Sequence, residues 1–257
     1  MRLDKFLAQA DVAGRKKARI LIANGEIKVN GEVQLDPAAE IEEEKDLVVY
    51  QGRQLASAKT VHYMFHKPSG CITAKSDLQH KTVFEYFKEE DRCGVFPVGR
   101  LDKDTEGLLL FTNDGKFEHA LMHPTKHVDK TYYFWALGCI DEEKHKIIES
   151  GVDIGDETLT LPAKLKIEGS YLLTDLKQQY SYDFLKREQF KKDQMVTCGY
   201  LTISEGRKHQ VKRMLKSIGC FVIYLKRIQI GGLKLDETLP VGEYRALSEE
   251  EIKQLFE

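Results

Sequence analysis

Asp102, Asp104 and Glu106 crowd three carboxylates into five residues, just after Gly99-Arg100 and just before the apolar run Leu108, Leu109, Leu110, Phe111. Acids this close to a buried strand have two readings. They can cap and order a turn. Alternatively, one is partly desolvated, kept ionised by a cation and used as a nucleophile. The chain offers such cations: residues 206–235 contain no acid but hold Arg207, Lys208, Lys212, Arg213, Lys216, Lys226, Arg227 and Lys234. A second basic cluster, Arg15, Lys16, Lys17 and Arg19, lies near the start. His119, His123 and His127 recur at a spacing that would align metal ligands on one helix, but Pro124 interrupts that helix, so no metal site is expected.

The 39 Lys and Arg nearly balance 41 Asp and Glu, for a net charge of −2, yet the charge is segregated. Acids gather at Asp36, Glu40, Glu42, Glu43, Glu44 and Asp46. Two basic surfaces on a neutral chain imply a polyanionic partner; solvated helix faces are the alternative for either cluster taken alone. At 257 residues and 42% hydrophobic, the chain can bury a core in one or two domains. No uncharged run approaches the roughly 18 residues of a membrane span, and the first residues lack a signal-peptide core. Cys71, Cys93, Cys139, Cys198 and Cys220, odd in number and scattered, fit reduced thiols in a cytoplasm.

The elements that must position these groups fall into two parts. Leu3, Phe6 and Leu7 have helical spacing, and Ala18, Ile20, Leu21 and Ile22 repeat apolar positions between basic residues in a second helix. Ile27-Lys28-Val29 and Glu32 to Leu35 alternate about Asn30-Gly31, a strong hairpin turn. Residues 51–60 are polar and aperiodic, the best linker candidate, and are expected to let the two parts pivot. Beyond it, 62–67 reads as a strand, a helix is expected from about Thr82, 108–111 reads as a buried strand, and Asn113-Asp114-Gly115 as its turn. Alternation puts Tyr132 and Phe134 on one face of a strand and Tyr133 and Trp135 on the other. Ser248 and Glu251 make a capping box for a last helix.

The segment "RLDKFLAQADVAGRKKARILIANGEIKVNGE" resembles the small α-L RNA-binding module. "GRLDKDTEGLLLFTNDG" resembles the catalytic loop of pseudouridine synthases of the RsuA branch, which modifies bacterial ribosomal RNA. "YMFHKPSG", "HVDKTYYF", "ISEGRKHQVKRMLKSIG" and "VIYLKRIQIGGLKL" resemble that family's other blocks, in order. The resemblance implies an α+β fold: a module over 1–58, then a catalytic domain over 59–257 with a mixed, mainly antiparallel sheet flanked by helices. Carried over residue by residue, it implies Asp102 as nucleophile or base, Tyr132 stacked on the uracil, and Lys212 paired with Asp102, with Arg207 and Arg213 as close alternatives. The same resemblance implies Leu225 beneath the base, and Arg100 and Thr105 as residues that shape the loop or touch the flipped nucleotide. In the module it implicates Arg2, Lys5, Arg15, Lys16, Lys17, Arg19 and Lys28 as RNA contacts, where clustered cations neutralise phosphates.

The implied reaction isomerises uridine through breakage of its N1–C1′ bond and rejoining through C5. It moves no electrons to a carrier and no phosphoryl group, so no cofactor is expected. The implied partner is ribosomal RNA or a subunit assembly intermediate, met by a cytoplasmic monomer. "RLDKFLA" and "HKPSG" look more like the small-subunit enzyme than the large-subunit ones. A catalytically silent assembly factor is the rival class; a tRNA-charging enzyme would need a nucleotide-binding signature that is absent. Residues 175–193 look longer than in shorter relatives and read as a surface loop or an extra RNA contact.

Overall fold

The computed structural model describes residues 1–43, 45–56, 59–179 and 194–257. At the start, α1 (Leu3–Gln9) and α2 (Arg15–Ala23) turn their apolar residues inward onto Ile27, Ile41 and Val48. β1 (Ile27–Val29) and β2 (Glu32–Val33) pair antiparallel about Asn30 and Gly31, whose φ of 55° and 89° is what that turn demands. β3 (Val48–Tyr50) and β4 (Arg53–Gln54) complete a sheet of order β2-β1-β3-β4. The stretch 51–60 therefore begins inside this sheet and not as a tether. Gln51 and Gly52, at φ 50° and 75°, turn the β3–β4 hairpin, and the polarity of Arg53-Gln54 is that of an exposed edge strand.

The larger sheet uses β5 (His62–Lys67), β6 (Phe96–Val98), β7 (Glu106–Thr112), β8 (Lys130–Leu137), β9 (Lys164–Leu172), β10 (Met195–Ile203), β11 (Phe221–Ile230), β12 (Leu233–Lys234) and β13 (Tyr244–Ala246). Its order is β13-β5-β7-β11-β8-β10-β9, with β6 beside β7 and β12 beside β11. Among the strands of the described residues only the β7–β11 pairing is parallel, so the expected mixed, mainly antiparallel sheet of an α+β fold is what forms. Among the described residues, α3 (Gly115–Met122), α4 (Glu142–Ser150), α5 (Leu173–Gln179), α6 (Gln210–Ser217) and α7 (Glu249–Gln254) flank it. Ser248 and Glu251 cap α7 reciprocally, as their spacing predicts. The helix expected from Thr82 is a single 3-10 turn, Val83–Tyr86, started by a Thr82–Glu85 capping box; one turn suffices to drop Val83 and Phe84 into the core. Of residues 175–193, the start belongs to α5, and 180–193 lie outside the described residues.

β8 shows the expected alternation. Tyr132 and Phe134 face the cluster that contains Phe65, Phe111, Val211 and Leu225, while Trp135 joins Leu173, Val196 and Tyr224 on the other face. The two parts of the chain also touch directly. Gln9 is buried, and its Nε2 donates to the Asn113 carbonyl oxygen at 3.2 Å. Asn113 in turn accepts from the Val61 amide at 3.0 Å and donates to the Lys59 carbonyl at 2.8 Å.

Candidate active site

The loop between β6 and β7 carries Asp102, and buried polar groups fix its shape. Lys67, wholly buried, donates its ammonium to the carbonyl oxygens of Pro68 at 3.0 Å, Lys103 at 3.4 Å and Thr105 at 2.9 Å. Burial pushes Lys67 below the ordinary lysine range, against the opposing pull of Cys71, Asp104, Glu106 and Asp102. Thr73 holds Leu101 from both sides, accepting from its amide at 3.2 Å and donating to its carbonyl at 2.9 Å. Gly107 lets β7 run against β11: at φ 101°, an added Cβ there would collide with the Arg227 carbonyl oxygen.

α6 supplies the cation. Val211, Met214 and Leu215 are buried, which leaves Lys212 beside the loop. Lys212 Nζ lies 3.2 Å from Asp102 Oδ2 and 2.5 Å from Asp104 Oδ1. Burial would raise Asp104, but the Lys212 hydrogen bond and charge outweigh it and hold the carboxyl below its usual range. His209, at φ 52° just before α6, places Nε2 3.6 Å from Asp102 Oδ1. The crowded acids thus do both things their spacing allowed. Thr105 donates its amide to the Asp102 carbonyl at 3.1 Å in a turn, and the Asp102 side chain meets the basic run.

The sheet supplies the other wall. Arg227 pairs with Tyr132, and Leu225 with Phe134, across β11 and β8, so Tyr132, Leu225 and Arg227 share a face. Loop, helix and sheet enclose a cavity of about 560 Å³. Arg100, Asp102, Thr105, Tyr132, Arg207, Lys212 and Leu225, all expected from sequence, line it. Arg213 does not. Its guanidinium donates to the Ile154 carbonyl and to Asp156 Oδ1 at 2.6 Å, because the residue after Lys212 is rotated by about 100° around the helix. The guanidinium of Arg207 is also engaged, by Glu205 at 2.9 Å and by the carbonyls of Thr158 and Leu159 at 2.7 Å each, so its bonds brace that loop.

In the N-terminal module, Arg2, Arg15 and Arg19 converge on the wholly buried Asp4, at 3.1, 3.5 and 2.8 Å. Burial would raise Asp4, but hydrogen bonds from Arg2 and Arg19 and the Arg15 charge hold it at about 2. Lys5 lies 3.9 Å from Asp114, whereas Lys16, Lys17 and Lys28 are exposed. Sequence reading did not single out His209 or Lys130, and it named Asp104 and Arg227 only as members of the acidic and basic runs. For Arg227, the two-residue spacing from Leu225 on a strand was the available signal.

The arrangement presents a carboxylate with a counter-charge, beside an aromatic ring, in a cavity that would hold one nucleobase. Residues 61–217 match the RNA pseudouridylate synthase family, and residues 1–48 match the S4 domain. The ribosomal small subunit pseudouridine synthase A of Vibrio vulnificus is 37% identical over 257 residues, covering 100% of both chains. The ribosomal large subunit pseudouridine synthase B of Bacillus subtilis is 38% identical over 255 residues, covering 99% of this chain and 95% of its own. A crystal structure of a pseudouridylate synthase, 32% identical, superposes with a TM-score of 0.64 over 99% of each chain. This chain belongs to the RNA pseudouridylate synthase family and carries an S4 domain ahead of its catalytic fold.

Proposed function

We propose that this protein isomerises a specific uridine of small-subunit ribosomal RNA to pseudouridine. The Asp102–Lys212 pair in a cavity roomy enough for an extruded nucleotide carries the reading. The N1–C1′ bond of uridine breaks, the ring turns, C5 bonds to C1′ and loses its proton, and N1 gains one. Atoms and electrons balance within the nucleotide, so the stoichiometry requires no cofactor. Asp102 is the nucleophile or base. Tyr132 stacks on the extruded base and recovers part of the cost of unstacking it, about 1–3 kcal/mol. Leu225 supports the ring, and Arg100 and Thr105 border the nucleotide. Arg213 and Arg207 keep only a bracing role.

The module, taken as residues 1–58, holds folded RNA through exposed cations while residues 59–257 do the chemistry. Lys16, Lys17 and Lys28 are its phosphate contacts, and Arg2, Arg15 and Arg19 add a net positive surface around Asp4. The protein works as a cytoplasmic monomer on ribosomal RNA or an assembly intermediate; no helix among the described residues is long and apolar enough to cross a membrane. The 38% identity to a large-subunit enzyme supports a second reading, with large-subunit RNA as substrate. Tritium release from small- and large-subunit transcripts labelled at uridine C5, each with and without ribosomal proteins, separates the two. Release from the small-subunit RNA alone supports the proposal. Release from the large-subunit RNA alone transfers it, and tight binding without release from either makes the protein an assembly factor.

A further inference from the structure

Two buried cations of the cavity wall have no part in that reading. Arg227 is 3% exposed. Its Nε donates to the Leu108 carbonyl at 2.8 Å and its Nη1 reaches the Tyr132 hydroxyl at 3.5 Å, while Nη2 is buried without a partner among the described residues. Lys130, 6% exposed, donates to the Val128 carbonyl at 2.7 Å. Asp129, beside Lys130, is engaged by Lys164 at 3.3 Å. Burial and then the nearby Arg227 charge press Lys130 down to about 8, against the smaller upward pull of Asp129. Two like charges taken out of water without a carboxylate between them cost stability, and packed apolar residues would cost less. Such a pair is explained by an anion that is present only during the reaction.

The chemistry identifies that anion, on the uridine-isomerising reading above. When N1–C1′ breaks, its electron pair stays on the ring and spreads over N1, O2 and O4. If a nucleophile adds to C6 first, the C5–C6 pair moves through C4 onto O4. In either order the uracil ring carries one negative charge that neither substrate nor product has. The charge is spent when C5 bonds to C1′, and it returns when C5 gives up its proton, until N1 takes one up. We propose that Arg227 and Lys130 form a cationic floor that stabilises this charge on the uracil ring. The Arg227 guanidinium carbon lies 6.0 Å from the centre of the Tyr132 ring, so a base stacked there is within its field. A full charge on such a base about 6 Å from the guanidinium, at an effective dielectric constant near 20, would be worth about 100-fold in rate. A backbone phosphate is the other anion this floor could hold, and it would appear in affinity instead.

The test uses single-turnover tritium release with enzyme in excess, RNA affinity at several salt concentrations, and thermal melting. The full-length wild type is compared with Arg227→Met, Arg227→Gln, Arg227→Lys and Lys130→Met. The floor predicts RNA affinity within about threefold of wild type for all four, with unchanged salt dependence. It predicts a rate about 100-fold lower for Arg227→Met and Arg227→Gln, with Arg227→Lys at least about tenfold faster than Arg227→Gln because charge and not shape is restored. Lys130→Met falls about tenfold or more, and Arg227→Met melts no lower than wild type. Equal rates for Arg227→Lys and Arg227→Gln, or a loss confined to affinity with a flatter salt slope, would overturn the proposal. If Arg227→Met does not fold, the Lys-to-Gln comparison decides alone. Absence of turnover by the wild type would instead count against the isomerase reading itself.

Discussion

The ammonium of Lys212 lies 3.2 Å from Asp102 Oδ2, an ion pair that ties α6 to the loop ahead of β7. The same ammonium lies 2.5 Å from Asp104 Oδ1, so one cation serves two acids. Asp104 is the more exposed partner, with 69% of its side chain accessible against 26% for Asp102, and on the proposed reading it competes for the charge while Asp102 does the chemistry. Lys212→Met should lower the single-turnover rate by about 10²–10³-fold. Asp104→Asn should cost less than about tenfold, since Lys212 then serves Asp102 alone. A larger loss for Asp104→Asn than for Lys212→Met in rapid-quench kinetics would reverse these roles.

Gly94 sets how closely the module docks. It sits at φ 64°, and an added Cβ would lie 2.5 Å from the Gln9 carbonyl oxygen. Gly94→Ala should therefore cost about 2 kcal/mol or more, from left-handed backbone and the clash together. It should also loosen the Gln9–Asn113 contact and speed trypsin cleavage after Arg53 or Lys59. Limited proteolysis and melting check this; an unchanged cleavage rate would mean that the contact does not restrain the module.

Lys130 links the site to stability. Its folded value of about 8 lies below the ordinary 10.5, so the unfolded chain binds more protons between those values. Stability from this residue must therefore rise as pH rises from about 8 to about 10.5. Urea titrations of wild type and Lys130→Met across that window should show wild type gaining on the variant by up to a few kcal/mol. A difference that stays flat with pH would mean that Lys130 is not desolvated as the structure has it.

Lys16 and Lys17 are exposed on α2, whereas Arg15 and Arg19 are committed to Asp4. Changing both lysines to alanine should weaken RNA binding and reduce its log–log salt slope by about 1–2. Filter binding between low and physiological salt reads this directly. An unchanged slope would remove α2 from the RNA interface.

Local signals made much of this architecture legible. The helical spacing of Leu3, Phe6 and Leu7, the Asn30-Gly31 turn and the Ser248–Glu251 box each dictate geometry within a few residues, and each formed as read. The cavity's composition was legible only because motif blocks named Asp102, Tyr132 and Lys212. What stayed hidden depends on contacts between distant segments. The β3–β4 hairpin reads as a linker because Arg53-Gln54 is an edge with no buried face. Arg213 is a close alternative to Lys212 in sequence, and only the orientation of α6 by Val211 and Leu215 separates them. Lys67 and Arg227 look like surface cations in sequence, because only the fold takes them out of water.

The account's central claim is that Asp102 does the chemistry in the cavity that α6 and the sheet close around it. Single-turnover tritium release from C5-labelled ribosomal RNA, with wild type and Asp102→Asn measured on the same transcript that the wild type modifies, tests it most directly. The account predicts release by wild type and none above background by Asp102→Asn, with RNA affinity within about tenfold of wild type, since the substitution removes the carboxylate and leaves the module's cations in place. Release by Asp102→Asn at a rate near that of wild type would contradict it.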